Sequence, residues 1–274
     1  MLLDRLAIAI PLIPVAVWVI ALGGPVYALM ITVLLVLAAL EYAHLFRAGG
    51  QRPAAPLLWV GVPALALTHE FPFLHIGGLL TLLTLATLVW HLVDYERGAP
   101  ASGTDFVITL GGLVYLGWMG GYLVALRELP EGLWWSATLL SAVWLADTAA
   151  YVFGRRFGRH PLAPRLSPKK TWEGFVGGVL GAAGGAAVLA LVWGLGAGPT
   201  SLVGWPTGLA FGALAGLVGP LGDLGISMLK RQTGAKDSGH VIAGHGGILD
   251  RIDSWLVAIP VGYFGVLWLH AWLR

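Results

Sequence analysis

The chain has 274 residues, of which 57% are hydrophobic and 11% charged, and its mean hydropathy is +0.81. A soluble domain carries roughly 25% charged residues, so this composition describes a polytopic membrane protein. A formal net charge of +2 gives no basis for nucleic-acid binding, and the lack of cysteine excludes disulfides, thiolate metal sites and cysteine nucleophiles.

Nine apolar runs are predicted as spans, at about 6–22, 26–46, 56–69, 76–93, 106–126, 133–153, 174–196, 203–226 and 255–272, each judged against the ~20 residues a helix needs to cross hydrocarbon. The first follows Arg5 in the manner of a signal peptide. Asp4 dilutes its positive flank and no small-x-small site precedes Pro25, so it reads as a retained span. The third is short and holds Pro56 and Pro63. It reads as re-entrant, or as merging with the fourth into an irregular hairpin. The expected architecture is all-α, with a largely hydrophobic region over 1–130 and the dense chemistry over 131–274.

Orientation follows from Lys and Arg. With the N-terminus cytoplasmic, only Arg127 and Arg274 of the 16 cations fall outside. The polar loops 154–173 and 227–254 then face the cytoplasm, where nucleotides are.

In the first half, His44, His69, Glu70, His75, His91 and Asp94 lie near span ends, where interfacial solvation accounts for them. Glu41 lies inside the second span. An acid there is costly, so it belongs to a structural pairing or to a cavity. The seventh span is rich in glycine, as tight small-residue helix packing requires. Trp134, Trp135, Trp172 and Trp255 near span ends fit an interfacial belt.

The densest polar stretch runs from Ser227 to Asp253. Lys230, Arg231, Lys236 and Arg251 stand beside Asp237, Asp250 and Asp253, with His240, His245 and five glycines between them. Cations beside carboxylates on a Gly-rich loop suit a polyphosphate held with a divalent metal. Asp147 and Asp223 lie near the ends of apolar helices, where an acid costs roughly 2.5–3.5 kcal/mol on insertion scales. Asp223 with Asp250 forms an expected pair of Mg²⁺ ligands. Asp253 and Asp237 would stand behind these ligands or serve as alternates, Asp253 sharing a helical face with Asp250. Gly246 and Gly247 offer backbone N–H groups to phosphate oxygens. No GxxxxGK[ST] is present in the loop. In the other loop, Ser167, Lys169, Lys170 and Thr171 precede a helix expected near Trp172. A helix N-terminus holds anions, and Ser167 or Thr171 could cap it with Glu173 in the first turn.

These residues resemble the signature of phosphatidate cytidylyltransferases. The resemblance rests on Ser227, Lys230-Arg231, Lys236-Asp237, His245-Gly246-Gly247 and Asp250-Arg251-Ile252-Asp253, with Gly222-Asp223-Leu224 upstream and the run Ser167–Gly174 earlier. It covers about 147–254, and the first half is similar only in hydropathy. Ala243 stands where relatives have Pro or Gly, and Ile226 where they often have an acid. The resemblance implies cytidylyl transfer from CTP to phosphatidate with Mg²⁺, with room for a second cation. Asp223, Asp250, Lys230, Lys236, His245 and Arg251 would be catalytic. Ser167, Lys169, Lys170, Thr171, Ser227, Arg231, Gly246 and Gly247 would bind substrate, and Asp253 and Asp147 are further metal candidates. It also implies a homodimer in the cytoplasmic (inner) membrane. Other CTP-dependent lipid enzymes, acting on archaeol or polyprenol acceptors, are the near alternatives. A transporter would show paired internal repeats, and the two polar loops differ in motif and length.

Overall fold

The computed structural model describes residues 14–71, 73–198, 200–239 and 246–272. Residues 14–22 are helical. Eight helices follow: α1 (Gly24–Ala48), α2 (Ala55–Leu67), α3 (Ile76–Glu96), α4 (Ser102–Glu128), α5 (Gly132–Phe157), α6 (Trp172–Ala197), α7 (Trp205–Gln232) and α8 (Leu249–Trp272). Seven of these are long and apolar enough to cross a membrane, and α2 is not. Seven of the expected spans are thus found among the described residues, and the third is the short one. At 1.5 Å per residue, the 13 residues of α2 reach only about 20 Å, short of the ~30 Å hydrocarbon core. Most of the expected 6–22 span lies outside the described residues.

Helix ends differ from the expected ones where the polar residues lie. α7 continues through Gln232 and α8 begins at Leu249. Ser227, Lys230, Arg231, Asp250 and Asp253 therefore stand on helices rather than in a loop, and the connection shortens to 233–248. The 154–173 loop also acquires structure. Strands β1 (Pro161–Ala163) and β2 (Ser167–Thr171) pair antiparallel, Pro161 opposite Thr171 and Ala163 opposite Ser167.

The chain divides into two compact units. One contains the chain through Ala125 together with Leu229–Ile252; the other contains Leu126–Met228 and Asp253–Arg274.

In the first unit, α2 packs between α1 and α4. Gly112 and Gly117 of α4 let the helix approach Leu58, Val62 and Leu65 of α2 closely. In the same region α4 carries a π-helical stretch over Leu113–Trp118, a wide turn that is rare within α-helices. Tyr42 donates to the Ile108 carbonyl and Tyr27 to the Leu123 carbonyl, tying α1 to α4. The segment after α1 is pinned as well: Arg52 N–H donates to Asp105 and Ala54 N–H to Thr109. His91 bonds Thr109 at 3.0 Å and is 3% exposed. This corrects its expected interfacial solvation: Nε2 is met by the threonine, while Nδ1 makes no hydrogen bond and lies 3.6 Å from Asp94.

In the second unit, α5 and α6 form a close hairpin. Gly174, Gly178 and Gly181 of α6 face Ala150, Ala146 and Ala149 of α5. On its other side, α6 presents Ala182, Ala186 and Ala190 to Gly208, Gly212 and Gly216 of α7. The glycines thus serve tight helix packing, as small-residue interfaces do in membranes. α7 meets α8 most closely at Gly222, where an added Cβ would strike the Asp253 carbonyl.

That contact predicts a sharp contrast along one helix. Gly222→Ala must displace backbone and should destabilise by about 1–3 kcal/mol. Gly225→Ala meets nothing within 4 Å and should be neutral or stabilising by up to about 1 kcal/mol, since Ala is the better helix former. Thermal unfolding of the two purified variants measures this. Equal melting temperatures for both would contradict the close approach.

Candidate active site

Two polar clusters are built, one in each unit. The first centres on Asp250 in the opening turn of α8. Its Oδ1 accepts a 2.6 Å charge-assisted bond from Lys230 Nζ, a length typical of strong ionic hydrogen bonds. Its Oδ2 accepts from the Ser238 backbone N–H at 3.0 Å and faces Ser238 Oγ at 2.9 Å. Both side chains of the ion pair are largely buried, 14% exposed for Lys230 and 19% for Asp250.

Ser238 also faces Glu41 of α1, with Oγ 3.2 Å from Oε2. A hydroxyl has one proton, so it serves one of the two carboxylates at a time. Glu41 is 3% exposed. It accepts Ile248 N–H on Oε1 and Leu249 N–H on Oε2, each at 2.9 Å. These are orphan donors at the start of α8, and an acid there is favoured by the helix dipole. That explains how a carboxylate is tolerated at this depth. Gly239 and Gly247 close around it, and a Cβ on either would collide with the Glu41 carboxyl. Gly247 is buried in this contact, while Gly246 is partly exposed with φ at +81°, a conformation glycine adopts without strain.

Lys236, Asp237, Arg231 and Arg251 are exposed. His245 and His240 lie outside the described residues.

The second cluster is organised by the β-hairpin. Thr171 caps α6, its Oγ1 accepting Gly174 N–H at 3.1 Å, as expected for an N-cap threonine. Glu173 turns back to the hairpin as well as serving the first turn of its own helix. It accepts the N–H groups of Arg159 and His160 at 3.0 and 3.2 Å, and its other oxygen lies 2.5 Å from His160 Nδ1. The hairpin is thereby fixed to the head of α6. Lys169 is exposed on β2 and Ser167 partly so. Lys170, the next residue, forms an ion pair with Asp223 of α7; the two are 31% and 32% exposed. Asp147, exposed on α5, lies within electrostatic reach of Lys170.

Ser227 and Asp253 are both buried. Asp253 Oδ1 accepts the Ser254 N–H at 2.6 Å. Among the described residues, no group of three or more His, Asp and Glu forms a ready metal cage. Each cluster offers one such acid: Asp223, about a third exposed, and Asp250, whose oxygens are held by Lys230 and Ser238. Carboxylates are hard oxygen donors of the kind Mg²⁺ takes one or two of, completing its shell with phosphate and water.

The sequence singled out Asp250, Lys230, Asp223 and Lys170, and the structure joins them as Asp250–Lys230 and Asp223–Lys170. Ser238 was not singled out. Its only signal was its position directly after Lys236-Asp237. Glu41 stood out as an acid inside a span, but its partners lie some 200 residues away.

The chain matches the cytidylyltransferase family model over residues 3–269. It is 35% identical over 280 residues to a phosphatidate cytidylyltransferase of Pseudomonas aeruginosa, covering 99% of both chains. It is 33% identical over 294 residues to one of Synechocystis sp., covering 97% of both. It is 34% identical over 272 residues to one of Brucella suis, covering 96% of this chain and 93% of that one. A match that runs nearly end to end, through both polar clusters, makes the chain a multi-pass membrane enzyme of the cytidylyltransferase family.

Proposed function

We propose that the chain transfers the cytidylyl group of CTP to phosphatidate, releasing pyrophosphate and leaving CDP-diacylglycerol in the bilayer. The observation that carries this reading is the pairing of lysines with acids, Lys230 of α7 with Asp250 of α8 and Lys170 of β2 with Asp223 of α7, in a chain of the cytidylyltransferase family. The names of the full-length relatives support phosphatidate as the acceptor.

The reaction needs no protein nucleophile. An oxygen of the lipid phosphate attacks the α-phosphorus of CTP. The bond to the bridging oxygen of the β-phosphate breaks, and pyrophosphate leaves with that electron pair. Two anions must meet, so charge neutralisation and alignment are the main tasks. Lys230 and Lys170 are already ordered by their acids, which lowers the entropy cost of placing an ammonium on phosphate. Exposed Lys236 and Arg251 would add charge for the leaving pyrophosphate, with Arg favouring bidentate phosphate contact. His245 would orient a phosphate oxygen. Ser167, Lys169, Thr171, Ser227, Arg231, Gly246 and Gly247 would complete substrate contact.

Asp223 and Asp250 would hold the metal or metals, with Asp253 and Asp147 as further candidates. Bound Mg²⁺ would withdraw charge from phosphate oxygens and so ease the approach of the lipid anion. The acyl chains would stay among the helices, with the polar clusters facing the cytoplasm.

Asp223→Asn and Asp250→Asn should each lower Mg²⁺-dependent turnover of CTP and phosphatidate by about 100-fold or more, the scale of losing one electrostatic element of a preorganised site. Pyrophosphate release by purified, folded enzyme measures it. Turnover preserved in both variants would sink the metal assignment, and product formed only with another lipid phosphate would move the acceptor.

Orientation has its own check, helped by the absence of cysteine. A single Cys at Ala235 should react with a membrane-impermeant maleimide in inside-out vesicles, and one at Glu128 in right-side-out vesicles. The reverse pattern would place the clusters on the other side of the membrane.

A further inference from the structure

The catalytic reading uses Asp250 and Lys230 but gives no role to the acid buried beside them. Glu41 comes from the first long helix, far in sequence from the polar stretch it contacts. Its carboxylate nonetheless binds both ends of the 238–249 connection: Ser238 at one end, and the N–H groups of Ile248 and Leu249 at the other. Ser238 contacts Asp250 in turn, through its backbone N–H and its hydroxyl. Leu249 immediately precedes Asp250.

We propose that Glu41 is a positioning residue for the reaction, holding the start of α8 and Ser238 so that Asp250 is set against Lys230. This rests on the cytidylyltransferase reading for its activity arm.

Three features support a specific role over general packing. First, both carboxylate oxygens are used, each toward a different backbone N–H, so the group fixes orientation as well as distance. Second, Gly239 and Gly247 leave room for this carboxyl and for no additional side-chain atom. The glycine before Ile248 thus has a packing reason independent of phosphate. Third, no cation among the described residues forms an ion pair with the carboxylate. Its charge is met by N–H and O–H donors and the α8 dipole, an arrangement that depends on the helix start staying in place. An amide cannot substitute, because its NH₂ would face a donor on one side.

The test compares Glu41→Gln and Glu41→Ala with Leu35→Ala, which empties a fully buried position on the same helix without touching the connection. Hydrogen exchange is read over the peptide containing 246–250, and kcat is measured per folded molecule. Both Glu41 variants should raise exchange in that peptide and lower kcat by about 10- to 100-fold, the cost of a displacement on the order of 1 Å. Leu35→Ala should lower thermal stability but leave exchange at 246–250 and kcat per folded molecule at wild-type levels. If the Glu41 variants do not fold, Ser238→Ala removes the shared hydroxyl alone and should reduce kcat by about 3- to 10-fold, the scale of one hydrogen bond. Wild-type exchange and kcat in the folded Glu41 variants would overturn the proposal, or in Ser238→Ala where those do not fold. Loss in Leu35→Ala to the same degree would assign the effect to general destabilisation and also overturn it. Failure of the wild type to turn over CTP with phosphatidate would refute the functional reading, while the exchange comparison would still decide whether Glu41 holds the helix start.

Discussion

A carboxylate inside an apolar helix bundle must be met by a donor, and that constraint shapes both polar clusters. Removing one partner of a buried ion pair leaves an uncompensated charge at a cost of about 3–5 kcal/mol. Asp250 is met by Lys230 and Ser238, Asp223 by Lys170, and Glu41 by the open end of α8. Glu41 and Asp250 draw on the head of α8, where a membrane helix exposes unpaired backbone groups, while Asp223, inside α7, is met by a lysine side chain of β2.

Close packing makes room for these contacts. α6 is lined on one side by glycines against α5, and by alanines against the glycines of α7 on the other. Without bulky side chains, backbones approach until carbonyls and Cα atoms touch, as at Gly222 and Asp253. Such an interface has little freedom to shift. It gives the Lys170–Asp223 pair a rigid support, which an electrostatic mechanism needs more than it needs a reactive side chain. The β-hairpin between α5 and α6 adds to this rigidity, with Glu173 fastening it at three points.

The membrane class and most of the spanning helices were legible in the sequence, as were the lysines and acids that the two clusters pair. Hydropathy reports burial in lipid directly, since a spanning helix satisfies its own backbone and needs no distant partner. The spacing of Lys230, Lys236, Asp250 and Arg251 likewise carries charge density that no apolar bundle needs for packing. Helix ends were less legible. α7 and α8 reach into the polar stretch because Lys, Arg, Asp and Ser are all compatible with helix, and hydropathy sees only where the apolar run stops. Pro56 and Pro63 flagged α2 as irregular, and its short run, read at 56–69, is close to the observed Ala55–Leu67.

What only the tertiary structure decided was pairing. Hydropathy could flag Glu41 as costly but could not name its partners, because Ser238 and Leu249 lie 197 and 208 residues further along. The burial of His91 against Thr109, the turn of Glu173 back to the hairpin and the choice of lysine for each acid are of the same kind. By itself the sequence determined which groups must be kept from lipid and which chemistry they can perform, because both are properties of single residues and short spacings. The fold decided which donor meets which acid, because compensation of a buried charge depends on distance in space, and a sequence records only distance along the chain.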